Sequence, residues 1–221
     1  MFKNISLILI SLIPLNFLKI SLYRLIFNYD IDYKSKVGAF TIINAEKVKI
    51  TNAVIGMFNY IKVELISMEE SSNINKFNRI KNLYQLKLGE RSRIYDKNFI
   101  AGGPENINEK GFDFREQKVI LGKDSAVNRN NYFDVVRPII IGDNVVFGGV
   151  GTQIWTHGFD VHRTMLIGSV EFGNDIFIGS SCTFTKGISV ADGVTIGPSS
   201  VIYKSIDEKG VYSTHKIEKV K

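Results

Sequence analysis

The feature that most constrains this chain is a six-residue beat between Val170 and Ile202. Large apolar residues recur at Phe172, Ile178, Phe184, Val190, Ile196 and Ile202. A second series runs two residues earlier, at Val170, Ile176, Cys182, Ile188, Val194 and Ser200. A helix repeats near about 3.6 residues and a half-buried strand at about two, so a spacing of six fits neither element alone. Gly, Ser, Asn, Asp and Thr fill the intervals, and each unit therefore reads as a short strand followed by a tight corner. Repetition at this period predicts an all-β fold, a parallel β-helix. Three units close one triangular coil, which stacks Phe172 on Val190, Ile178 on Ile196 and Phe184 on Ile202, each pair eighteen residues apart. Coils lie about 4.8 Å apart, and each buries its inner row only because the next one covers it.

The same beat places residues 30–205 in one β-helix domain. It begins at Ile31, Val37 and Ile43, slips near Val48 to Ile50, and resumes at Ile55 and Ile61. It then runs through Leu88, Ile94 and Ile100, through Leu121 and Val127, and through Ile141 and Phe147. Polar interruptions predict surface excursions near 67–85, 101–118, 128–138 and 154–169, with a tail over 206–221.

Residues 1–29 differ: they are apolar, with Ser6, Ser11, Asn16 and Lys19 interspersed and Pro14 as a breaker. That pattern is too interrupted for a spanning helix and lacks a cleavage site. It predicts one or two short helices that cap the raw sheet edge of the first coil, lie in a membrane interface, or do both. The sole cysteine, Cys182, excludes a disulfide framework and points to a reducing compartment. Its place in the inner series makes it a packing residue rather than a nucleophile. The net charge of +6 is spread without a basic stripe or recognition motif, so nucleic acid is not an expected partner; anionic cofactors and membrane surfaces suit the charge better.

Chemistry is expected where the beat fails, in the loop QIWTHGFDVHRTMLIG, because a loop on a rigid scaffold can present a reactive side chain. It carries Trp155, His157, Asp160 and His162, two of the chain's three histidines among them. His157 reads either as a general base with a pKa near neutrality or as a hydrogen-bonded structural histidine beside Trp155. Asp160 reads either as the carboxylate that orients it or as a solvated loop carboxylate.

The beat from Ile139 to Ile202, the IGDNV corner at Ile141 to Val145, the loop TQIWTHGFD and the segments IGSSCTF and IGPSSVIYKSI resemble the hexapeptide-repeat O-acetyltransferases. The likeness is to those of bacterial polysaccharide gene clusters and to the maltose and galactoside acetyltransferases. It covers Ser125 to Lys204 most strongly, and includes Tyr132 to Asp134. It implies a left-handed β-helix, a hand that strand sterics alone do not select, and a homotrimer with sites between subunits. It also implies acetyl-CoA as donor and a sugar hydroxyl of a glycan or glycan precursor as acceptor. His157 matches the catalytic histidine, with Asp160 beside it and Trp155, Tyr132 and Asp134 toward the acceptor. An asparagine upstream of IGDN assists at the oxyanion in such enzymes; Asn128, Asn130 and Asn131 all lie there, with Asn131 taken as the candidate. The donor is implied to run along Phe177, Gly179, Ser180, Gly197, Pro198, Tyr203 and Lys204, with Gly179 and Gly197 stacked to leave a path free of side chains and Lys204 on a phosphate.

Departures from the pattern matter too. The ending GVYSTHKIEKVK lacks the family's proline-containing return, so no donor contact is assigned from His215 onward. His162 follows His157 at the spacing of two ligands in the γ-class carbonic anhydrases, but no third histidine lies upstream of His157, and no metal is expected. Transfer to an amino sugar, or a noncatalytic scaffold, are the alternative functions. The expected location is the cytoplasm, with a peripheral hold on the inner membrane face.

Overall fold

The structure is a computed structural model, which describes residues 2–105, 107 and 111–214. It is mostly strand, wound as a parallel β-solenoid that fits the expected left-handed β-helix. One face of the prism carries Ile139–Ile141, Val170–Phe172 and Ile188–Val190; the second carries Val145–Val150, Ile176–Ile178 and Val194–Ile196; the third carries Tyr132–Asp134, Gln153–Trp155, Thr183–Phe184 and Val201–Ile202. The chain visits the faces in that order. The second face is a nine-stranded sheet. The first and third join into one fourteen-stranded sheet because the long strands Tyr60–Met68 and Arg79–Leu88 run round their shared corner.

The stacking predicted from the beat is met residue for residue. Phe172 pairs with Val190, Ile178 with Ile196 and Phe184 with Ile202, all parallel. Every member of the second series is buried as well, Cys182 and Ser200 included. At the corners, residues such as Phe58, Phe77 and Asn130 adopt left-handed φ near +60°, the conformation that turns a strand sharply onto the next face.

Two expected excursions do not leave the coil. Met68 pairs with Leu88 and Leu121 with Ile141, twenty residues on in each case, so residues 67–85 and 128–138 stay in the wall. Ile74, Ile80 and Phe133 sustain the beat there, each fully buried, beneath a polar exterior that obscures it in the sequence. The departures that do occur push Leu88's partner out to Leu121 and Ile141's to Phe172. The first contains the short 3-10 turn Phe114–Glu116. The second contains an antiparallel hairpin, His157–Phe159 against Met165–Ile167. The tail is not separate over its described part: Ile206 bridges Val190 and Gly210–Tyr212 pairs with Val194–Ile196, so 206–214 continues the solenoid. His215 lies outside the described residues.

Two helices, α1 (Phe2–Leu12) and α2 (Asn16–Phe27), close the first coil. Its unpaired strand edges are met by side chains. The Asn16 amide donates to Ser35 O (2.8 Å) and accepts from Val37 N–H (2.9 Å), as a peptide of a preceding coil would. The buried Lys19 ammonium donates to Val37 O and Gly38 O, at 3.1 and 2.9 Å. Such bonds satisfy edge groups that would otherwise be stranded under an apolar cover.

Candidate functional site

The site is assembled where the chain leaves the third face. Trp155 ends the strand Gln153–Trp155 and stands opposite Asp134 in the coil below. The next residue, Thr156, points inward and is fully buried; its Oγ1 donates to Asp134 O (2.8 Å) and accepts from Val136 N–H (2.7 Å). That anchor holds the start of the hairpin against the coil below. His157 follows, and its Nδ1 donates to Asp134 Oδ2 at 2.5 Å. The imidazole is half-buried, while Asp134 is nearly covered.

An ionised carboxylate only accepts, so this contact favours the tautomer protonated at Nδ1. With Nδ1 engaged, Nε2 is the nitrogen able to take a proton. The hydrogen bond to Asp134 holds the imidazole above its ordinary pKa, against burial and the Lys186 ammonium, which act the other way. Lys186 was not among the residues singled out from the sequence; it stands in a distant corner of the chain and only coil stacking brings it over the hairpin, where its Nζ lies 3.4 Å from the position a Cβ would occupy on Gly158.

The orienting carboxylate is therefore Asp134, not Asp160. Asp160 Oδ1 accepts from the N–H groups of His162 and Thr164, both at 2.8 Å, and so shapes the hairpin turn. His162 is exposed in that turn, away from His157.

Asn131 also takes a different place. It is 3% exposed, its Oδ1 accepts from Thr152 N–H (2.9 Å), and its Nδ2 donates to Asn98 Oδ1 (3.0 Å). It ends an inward asparagine ladder in which Asn59, Asn78 and Asn98 each accept the N–H of the next asparagine at 2.9 Å. An amide engaged at both ends inside the wall cannot reach an oxyanion. Asn130 forms the exposed left-handed corner before it, and Asn128 is half-exposed on the second face.

Tyr132 and Trp155 are brought together, with ring centroids 5.0 Å apart, and Phe99 extends the stack below at 5.4 Å from Tyr132. Spaced at 33 and 23 residues, these rings form a column only because coils of unequal length stack in register. Trp155, the last ring of the column, stands two residues before His157 in the chain, whose own ring meets Phe159 edge-on at 5.7 Å.

The donor candidates fall elsewhere. Gly179, Ser180, Gly197 and Pro198 lie at the edge between the second and third faces, with Phe177 on the second face just before it, whereas His157, Tyr203 and Lys204 lie where the third face ends. Phe177 is 49% exposed. Beneath it is the corner Gly148–Gly149–Val150–Gly151, unremarked in the sequence. There Gly149 (φ +66°) and Gly151 (φ +81°) need glycine, and a Cβ on Gly149 would meet Ser180 Oγ. The stacked Gly179 and Gly197 do not leave an open path: a Cβ on Gly179 would lie 2.5 Å from Pro198 N, so glycine is required there for the coils to close on each other. Lys204 Nζ stands 5.9 Å from the Tyr203 ring, and both line a cavity of about 480 Å³ at the last coil. Cys182 is fully buried, and burial pushes its thiol pKa up, as a packing role requires.

No family model matches the chain. Over 125 residues it is 27% identical to a probable macrolide acetyltransferase of Lysinibacillus sphaericus, a match covering 53% of this chain and 66% of that protein. It is 29% identical over 125 residues to the bifunctional protein GlmU of Acidithiobacillus ferrooxidans, covering 57% of this chain and 26% of that one. A solved maltose O-acetyltransferase from Clostridium difficile aligns with a TM-score of 0.47 and 24% identity, over 57% of this chain and 63% of that one. The chain thus spans at most 66% of the length of these relatives.

Proposed function

The chain is a relative of the hexapeptide-repeat acetyltransferases, and from that premise we propose that it transfers an acetyl group from acetyl-CoA to a sugar hydroxyl of a bacterial surface polysaccharide or its precursor. The observation that carries this reading is the His157–Asp134 pair at the head of the aromatic column. Asp134 keeps the proton on Nδ1, and Nε2 removes the proton of the acceptor hydroxyl. The oxygen then attacks the thioester carbonyl carbon. As the tetrahedral oxyanion collapses, the carbon–sulfur bond breaks and the imidazolium returns its proton to the thiolate. Ester and free thiol are the products, and no side chain becomes acylated.

The acceptor is read as a sugar because the stacked Tyr132 and Trp155, on the strands that carry Asp134 and lead into His157, offer aromatic surface, which suits the apolar faces of a sugar ring. The two edges of the prism support a homotrimer: a neighbouring copy placed against the third face would bring its Phe177 and Gly148–Gly149 corner toward this copy's His157.

Incubating the full chain with acetyl-CoA and a panel of oligosaccharides, with thiol release as readout, tests this. Release should depend on the acceptor and fall by about 10²–10⁴-fold in His157→Ala, with the circular dichroism spectrum retained. Equal release by the variant would remove His157 from the chemistry, and an amide product would exclude transfer to oxygen.

A further inference from the structure

The cap that closes the first coil turns one surface inward and leaves the other bare. Leu9, Leu15, Phe17 and Leu25 are 60, 66, 70 and 82% exposed, and Leu12 and Ile26 are half-exposed beside them. Between Asn4 and Tyr23 the only charged residue is Lys19, and its ammonium is spent on the first coil. Lys3 and Arg24 are the other charges of the two helices, and both turn toward the coils, Lys3 to Glu46 and Arg24 to Ile31 O and Asp30. The outer surface is therefore mainly apolar, which marks an interaction surface. Helices of 11 and 12 residues are too short to cross a bilayer.

Behind this surface the first two coils carry a collar of exposed lysines, Lys34 and Lys36 on the first and Lys47 and Lys49 on the second, and among the described residues none of the four forms an ion pair with a carboxylate. The acids of this end are otherwise engaged. Glu46 binds Lys3, Asp30 faces Arg24 at 3.9 Å, and Asp32 accepts the Lys34 backbone N–H. Through Ile50 the chain has seven Lys or Arg and three Asp or Glu, so +4 of its +6 net charge lies at this end. At the boundary of cap and collar Phe17 stacks on Tyr33, 5.1 Å between centroids, an aromatic pair of the kind enriched at membrane interfaces.

We propose that this end of the solenoid docks on an anionic phospholipid bilayer, with α1 and α2 lying in the interface and the lysine collar on the headgroups. Apolar surface enters the acyl boundary while the ammonium groups meet the negative surface potential. A second copy docked cap to cap fits less well, since it would set one lysine collar against another. The assignment is independent of donor and acceptor.

Flotation of the full chain with vesicles of phosphatidylcholine, alone or mixed with phosphatidylglycerol, tests it. The protein should float with the mixed vesicles and be released by high salt. Reversing the collar in Lys34→Glu, Lys36→Glu, Lys47→Glu and Lys49→Glu together should weaken that binding by about tenfold or more; these side chains make no bond in the fold, so the variant should stay folded. Leu9→Glu, Phe17→Glu and Leu25→Glu together should abolish it. The proposal is overturned if the protein stays unbound with mixed vesicles, if the collar variant floats like the parent, or if the apolar variant dissolves an oligomer while keeping its lipid binding.

Discussion

Asn131 and Asp134 stand three residues apart, one just before and one at the end of the strand Tyr132–Asp134, yet they end in opposite situations. Asn131 turns into the wall, where one amide atom is held from below by Asn98 and the other from above by Thr152. Asp134 meets a side chain from the coil above that is bonded on one side only: His157 gives it Nδ1 and keeps Nε2 for something else. A polar group with every bond made inside the protein stabilises the fold; a polar pair with one atom left over can do chemistry. The amino-acid types do not separate the two, because both read as polar residues in a polar interruption.

The contrast is broken most directly at the carboxylate. Asp134→Asn should lower turnover by about 10²–10⁴-fold, since the tautomer is no longer held, while the melting temperature taken above the raised histidine pKa changes little. The pH profile should move with it. His157 acts as neutral imidazole, so activity rises as pH passes its raised pKa, and loss of the carboxylate should shift that limb toward lower pH. The same raised pKa means that the pair's contribution to stability is complete below the unfolded histidine value and is lost as pH rises through the folded one. A stability profile of Asp134→Asn should lack that decline.

Asn98→Ala should behave in the reverse sense, costing about 2 kcal/mol in denaturant unfolding by stranding the Asn131 N–H, with turnover per folded molecule retained. Thr156→Val sits between the two. It leaves the buried Val136 N–H without its acceptor, so about 1 kcal/mol of stability and a few-fold of turnover should be lost together. Asp160→Asn should be nearly silent, within about 0.5 kcal/mol and twofold in rate, because an amide oxygen can still accept from the turn. A large rate loss there would return Asp160 to the site.

Much of the wall was legible because its signal is local. Phe172, Ile178 and Phe184 announce their partners by a fixed offset, and the structure pairs them as that offset requires. Ile74, Ile80 and Phe133 obey the same beat but were lost among Asn, Ser and Lys, since a wall residue needs one apolar face and leaves its neighbours unconstrained. His157 was legible as the histidine of the last break in the beat. Its partner was not: Asp160 is near in sequence, whereas Asp134 is near only because a coil separates them.

The sequence by itself determined the prism, its inner rows, the helical character of the first 29 residues and the loop that bears the histidine, since each follows from periodicity and composition along the chain. The tertiary structure decided which polar residues are spent and which are left over. It turned Asn131 into the wall, set Asp134 under His157, gathered Phe99, Tyr132 and Trp155 into one column, and left the cap with a bare apolar surface above its lysines. The reason is physical: coils of unequal length stack by strand register, so contacts between them depend on the sum of every insertion before them, which no local pattern records.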